Sequence, residues 1–192
     1  GDTVRGDPAT IPAGATATFD PDGIASPNVF SLSIGCSDAP AGLDLGYDPL
    51  YLGTNICAPA TPNSTGSPGL ILAEGSLVAA NNDVLLSASS LPSNVLGYFL
   101  TSTAPGLVAN PGGSQGDLCV VGNIGRYTGP GQIVSSGLLG VASLPIDLTK
   151  VPPPTGPAAV QPGETRYFQF WHRDANPTVT SNFTDAVGIT FQ

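Results

Sequence analysis

The sequence predicts an all-β fold: an antiparallel β-sandwich, Ig-like or jelly-roll-like, with a strand-bearing N-terminal extension. Three observations lead there. Gly (25) and Pro (20) are abundant, and charged residues make up only 10% of the 192 residues. That balance disfavours helix and favours short strands joined by tight turns. Val, Ile, Leu and Phe recur in short alternating runs, the pattern of strands with one face on a core. No run keeps a helical period over three turns, and only residues 181–185 admit a single helical turn. A chain of this size is one domain with a sizeable extension. We divide it into an acidic N-terminal segment, residues 1–55, and a sandwich, residues 56–192.

The first segment holds two strand-like runs. Residues 13–19 are opened by Pro12 and closed by the turn Asp20-Pro-Asp-Gly23, and residues 28–34 carry Val29, Phe30, Leu32 and Ile34. Asp2, Asp7, Asp20, Asp22, Asp38, Asp44 and Asp48 stand there against Arg5 alone, so this segment holds −6 of the net −9. A proline-rich bridge follows at 58–69, and its prolines cannot serve a central ladder. Further strands are expected at 70–74, 76–79, 84–88, 96–102, 118–124, 132–135, 141–148, 165–173 and 186–191. Asn81-Asn82-Asp83 reads as a hairpin turn. Residues 105–116 read as a loop and 151–157 as a stiff extended connector.

The run Thr165-Arg-Tyr-Phe-Gln-Phe-Trp-His-Arg-Asp174 is the most aromatic and holds the only Trp and the only His. Alternation puts Phe168 and Phe170 on one face and Tyr167, Gln169, Trp171 and Arg173 on the other. Both faces have something to bury or bind, so this strand is expected at the centre of a sheet. The pattern apolar-x-x-Gly-x-Thr-x-x-Phe occurs at 11–19 and again at 160–168. A Pro-Gly turn leading into a strand accounts for it. The sharper reading is that the two N-terminal strands imitate the last two and pack as an equivalent hairpin, in their own chain or a neighbour's.

Charge excludes several partners. Lys and Arg total 5, which leaves no basic patch for nucleic acid or for an anionic membrane surface. No apolar run approaches the roughly 20 residues of a membrane span. The chain has no Met and starts at Gly1, from which we expect a processed, extracellular or cell-surface protein whose signal peptide is removed. The three cysteines form no CxxC, and one His is too few for a zinc set. An oxidising compartment implies one disulfide and one leftover thiol, with Cys36–Cys57 and Cys57–Cys119 as the two pairings.

Candidate chemistry is sparse. His172 with Asp174, Asp147 or Asp185 invites a triad, but no Gly-x-Ser-x-Gly elbow or other nucleophile context accompanies it. The two Glu, Glu74 and Glu164, sit in no aromatic cluster, which argues against paired-carboxylate glycoside hydrolysis. No enzyme activity and no resident cofactor are therefore expected. Asp20 and Asp22 are spaced as at the start of an EF-hand loop, without its remainder; calcium shared with Asp44 or Asp48 is the one metal the sequence leaves open. Arg126, Arg166 and Arg173 are expected to pin loops through salt bridges, with Asp174 and Asp185 as partners. Arg5-Gly6-Asp7 spells an adhesion tripeptide of a kind that chance produces. Asn63-Ser-Thr65 and Asn182-Phe-Thr184 fit the N-glycan acceptor pattern. Tyr98, Tyr127, Tyr167 and Trp171 are candidates for stacking on sugar rings, with core filling as the competing role.

Several motifs taken together carry a resemblance. They are Cys57-Ala-Pro-Ala-Thr-Pro-Asn-Ser-Thr-Gly66, Leu91-Pro-Ser-Asn-Val-Leu-Gly-Tyr-Phe99, Gly113-Ser-Gln-Gly-Asp-Leu-Cys119, Ile124-Gly-Arg-Tyr127, Pro162-Gly-Glu-Thr165, Phe168-Gln-Phe-Trp-His-Arg-Asp174 and Thr180-Ser-Asn-Phe-Thr-Asp185. From about residue 56 onward the chain resembles a domain found at the C-terminal end of secreted planctomycete and myxobacterial proteins. The resemblance implies an extracellular, all-β domain with no activity that can be named. It also implies the disulfide Cys57–Cys119, with Cys36 left over.

These readings converge on a non-catalytic secreted structural protein, a subunit of an extracellular filament or surface assembly. Its partner would be a second copy of itself, joined by strand donation. The donor is expected in residues 10–19, with Ala13, Ala15, Ala17 and Phe19 on one face. The alternative is a carbohydrate-binding or cell-surface adhesion module with an extracellular glycan as partner.

Overall fold

A computed structural model of the chain describes residues 51–152 and 156–192. Eleven strands lie among these residues: β1 (Thr54–Ile56), β2 (Leu70–Gly75), β3 (Val84–Ser89), β4 (Leu96–Ser102), β5 (Ala104–Val108), β6 (Leu118–Val121), β7 (Gly125–Arg126), β8 (Val134–Ser135), β9 (Ala142–Pro145), β10 (Thr165–Ala175) and β11 (Val179–Thr190). The largest sheet runs β1-β11-β10-β4-β7, with β8 also paired to β4; a second runs β2-β3-β9, and β5 pairs with β6. Every pairing is antiparallel. The fold is the all-β, sandwich-like one that the composition predicts.

The aromatic strand β10 sits in the middle of the large sheet, between β11 and β4, and its two faces do different things. Phe168 and Phe170 point inward with Phe99, Val187 and Ile189 onto Ile71, Leu86 and Leu144 of the three-stranded sheet. This is the main core. Phe99 and Phe170 meet with ring centroids 4.6 Å apart and planes tilted by 56°, the arrangement that opposes the ring edge of one to the face of the other. Gly97 makes room for it: a β-carbon there would lie 2.4 Å from the Phe170 ring and 2.5 Å from the Trp171 carbonyl oxygen.

The opposite face packs a smaller cluster. Leu100, Phe183 and Ala186 meet Cys119 and Val120 of the β5–β6 hairpin, which covers part of this outer surface. Gln169 fastens the hairpin down. Its Oε1 accepts from the Cys119 amide at 2.8 Å, and its Nε2 donates to the carbonyls of Thr184 at 2.8 Å and Asp117 at 3.0 Å. The ladder between β10 and β11 shifts register between Gln169 and Trp171. Thr184 fills that break, its hydroxyl accepting from the Phe170 amide and donating to the Asp185 carbonyl. A bulge costs ladder bonds, and here side chains supply them.

Five expectations are corrected. Residues 76–79 are not a strand: they lead into a 3-10 turn, Ala79–Asn81, tied by the Ala79 amide to the Gln192 carbonyl. Asn81-Asn82-Asp83 therefore ends a longer β2–β3 connection rather than making a two-strand turn. Residues 104–108 form β5 although Pro105 and Gly106 mark them as loop; the strand lies on the free side of a two-stranded ribbon, where proline is tolerated. Residues 181–185 are extended within β11, not helical. The sandwich also takes in residues ahead of 56, because Leu52 is in the core and Thr54 and Asn55 pair with β11. The expected strands at 13–19 and 28–34 lie outside the described residues.

Candidate functional site

Among the described residues the outer face of the large sheet is only partly covered, and its open part centres on Trp171. β4 and β10 run side by side with Tyr98 opposite Trp171. The two rings lie 4.9 Å apart, tilted by 30°, and both are half-buried. On one side of the indole is a cavity of about 250 Å³ between Tyr98, Leu118, Ile124 and Arg126. On the other side a hollow of about 350 Å³ is lined by Gly112, Gly113, Arg173 and Val179. Trp171 and Gly112 border both, so the two make one groove across the face.

Arginines mark both halves of the groove. Arg126 and Arg173 are exposed, and no acidic side chain among the described residues pairs with either. The described cations that do pair are Lys150, 3.8 Å from Asp147, and Arg166, whose Nε lies 2.6 Å from Glu164 Oε1. Arg166 is thus the one expected salt-bridge arginine that meets an acid, and that acid is Glu164. Asp174 accepts instead from the amides of Ser64 and Ala175. Asp185 accepts from the Ile71 amide and from Asn55 Nδ2, both at 2.7 Å, which ties β2 and β1 to β11. Its burial raises the carboxyl pKa against the pull of those two bonds.

Of the four aromatic candidates, only Tyr98 and Trp171 come together in the groove. Tyr167 shares their face but packs over Gly188, where a β-carbon would come within 2.8 Å of its ring. Tyr127 is a correction. It is buried in the main core, its hydroxyl has no hydrogen-bond partner among the described residues, and burial pushes its pKa well up. A ring in that position cannot meet a sugar.

His172 is fully buried and parallel to Phe170, with centroids 6.3 Å apart. Its Nδ1 lies 3.0 Å from the Arg173 carbonyl oxygen, so the neutral ring donates there, while Nε2 has no partner among the described residues. Desolvation lowers its pKa, outweighing that bond and the nearby Asp174. Asp147, Asp174 and Asp185 each bond other groups, and the one hydrogen bond of the ring among the described residues is that to the Arg173 carbonyl.

Both glycan acceptor asparagines are buried and already occupied. Asn63 Nδ2 donates to the Ser90 carbonyl at 2.7 Å, and its Oδ1 accepts from the amide and hydroxyl of Thr65. Asn182 Nδ2 donates to the carbonyls of Thr61 and Pro62. In the folded domain neither nitrogen is open to a sugar, which corrects that expectation. The sequence signal for glycosylation is here the signal for two internal hydrogen-bond hubs; nothing short of burial tells them apart.

Cys57 and Cys119 form a disulfide with Cα atoms 6.3 Å apart, across 62 residues. It joins the chain just after β1 to the covering hairpin and fits an oxidising environment. Among the described residues no group of three or more His, Cys, Asp or Glu is placed to hold a metal, and no helix is long and apolar enough to cross a membrane. Cys36, the calcium candidates Asp20, Asp22, Asp44 and Asp48, and the donor candidates Ala13, Ala15, Ala17 and Phe19 lie outside the described residues. No known protein family, curated protein or solved structure matches the chain.

Proposed function

We propose that this chain is a non-catalytic structural subunit of an extracellular assembly, whose copies join by donation of an N-terminal strand. The observation that carries the reading is an apolar tip beside a sheet edge that no described strand covers. Leu138 is 81% exposed and Leu139 90% exposed, on a loop whose backbone is held still. The Leu91 and Asn94 amides donate to the Gly140 and Gly137 carbonyls, Val141 donates to Ser136, and Ser93 Oγ donates to the Leu138 carbonyl. Leu96, Ile133 and Val141 are exposed close by in sequence and pairing. Two leucines fixed in water on a rigid loop are costly unless something covers them.

The loop runs directly into β9, an edge strand. Ile146 donates to the Val84 carbonyl at 2.8 Å, so by antiparallel alternation the backbones of Ser143 and Pro145 face away from β3. An added strand would find the Ser143 amide and two carbonyls there, with Pro145 limiting how far pairing extends. Residues 10–19 alternate small and apolar side chains as such a strand requires. Light scattering and negative-stain microscopy of the purified protein test this. Long polymers are expected, lost on deleting residues 1–35 and on the paired substitution Leu138→Asp and Leu139→Asp. A monomeric wild type, or polymers that survive both changes, would overturn it.

A second reading, a carbohydrate-binding or adhesion module, is favoured by the half-exposed Tyr98–Trp171 pair in its groove. It expects glycan affinity that Trp171→Ala removes while the protein stays folded.

A further inference from the structure

We propose that the groove around Trp171 binds an acidic polysaccharide, stacking a sugar ring on the Tyr98–Trp171 pair and pairing carboxylates with Arg126 and Arg173. The inference rests on the carbohydrate-binding reading and gives it a ligand class. Four cations lie among the described residues, and two of them satisfy acids within the domain. The other two flank this one groove, in a chain of net charge −9. A planar guanidinium pairs a carboxylate through two parallel hydrogen bonds. The aromatic pair supplies the flat apolar surface between them.

Strand geometry sets the ligand's shape. Arg126 lies opposite Leu100, Leu100 opposite Gln169, and Arg173 is four residues further along β10. Two strand spacings across and four residues along separate the two backbones by about 16 Å. One compact dianion cannot span that distance easily, whereas an extended polymer with repeated carboxylates can. A neutral glycan would leave both arginines without a role. Single-stranded nucleic acid also combines rings and anions, but it is held by a groove that tracks its phosphates with many cations, and two arginines do not make one.

Calorimetry with the full chain at low salt tests the proposal, using polygalacturonate, the same polymer fully methyl-esterified, and poly-glutamate. Binding is expected to polygalacturonate alone, weakening as salt rises. The double variant Arg126→Gln, Arg173→Gln should lose at least about tenfold in affinity, as for one charge-assisted contact. Both side chains are exposed, so its thermal unfolding should match wild type. Equal binding of the esterified polymer would overturn the acidic class and leave the sugar-binding reading standing. No binding to either polymer would overturn both. Equal binding of poly-glutamate would make the groove an acidic-peptide site instead, and undiminished binding by the double variant would place the contact elsewhere.

Discussion

Gln169 fastens the covering hairpin to the large sheet without any charge. It is fully buried, and its amide joins the covering hairpin to both the central strand and the bulged one. Gln169→Ala strands the Cys119 amide and two carbonyls, which predicts a loss of about 3 kcal/mol, readable as a lower urea midpoint. His172 makes a prediction in pH. Its folded pKa lies below the ordinary 6.5, so the unfolded chain binds more protons between those two values. The contribution of His172 to stability is complete above pH 6.5 and is lost as pH falls through that window. Asp185, raised above 3.8, acts in the opposite sense: its contribution falls as pH rises from 3.8. Comparing wild type with His172→Phe, which keeps the packing against Phe170, isolates the histidine. Below pH 6.5 the variant's unfolding free energy should decline less.

Among elements, β10 was legible in the sequence and most of β11 was not. Phe168 and Phe170 against Tyr167, Gln169 and Trp171 announce a strand buried on both sides, because alternation survives in every residue type. The first half of β11 reads Thr180-Ser-Asn-Phe-Thr-Asp185, and in this polar run residues 181–185 admit a helical turn. Asn182, Thr184 and Asp185 are buried instead, because each bonds a partner on another segment of the fold. Periodicity cannot foresee a partner that only the folded chain supplies. β1 is three residues long and β5 contains a proline and a glycine, so neither carries enough pattern to be seen. The disulfide stabilises the hairpin's attachment at this scale too. A loop of 62 residues corresponds to about 4 kcal/mol of unfolded-state entropy. Thiol reduction should lower the unfolding free energy by roughly that amount, with Gln169 still fixing the hairpin in place.

For the whole molecule, the main core between the two larger sheets sets stability, and the two surfaces outside it set what the molecule can meet. Phe170→Ala removes a ring packed on Phe99 and should cost about 3–5 kcal/mol, measured by denaturant unfolding. Leu138→Asp with Leu139→Asp should leave that value within about 0.5 kcal/mol, since both side chains already face water. The aromatic groove could be read in part: Trp171 and Tyr98 stood out, whereas Tyr127 could not be separated from them until its depth was known. Arg126 and Arg173 were expected as internal staples. They stay outside because Ser64 and Ala175 amides already hold Asp174, and Asn55 and Ile71 hold Asp185.

The two occupied asparagines bear on how the chain can be made. Asn63 and Asn182 sit in acceptor sequences that an oligosaccharyltransferase reads on a nascent, still extended chain, before Ser90 or Pro62 has come into reach. A sugar added then would stay attached, and neither side chain could return to its buried place. Secretion through a eukaryotic endoplasmic reticulum is therefore expected to yield retained, misfolded protein. Replacing Thr65 and Thr184 by Ser would not help, since serine keeps the acceptor sequence. A bacterial periplasm lacking that transferase would oxidise Cys57 and Cys119 and leave both asparagines untouched.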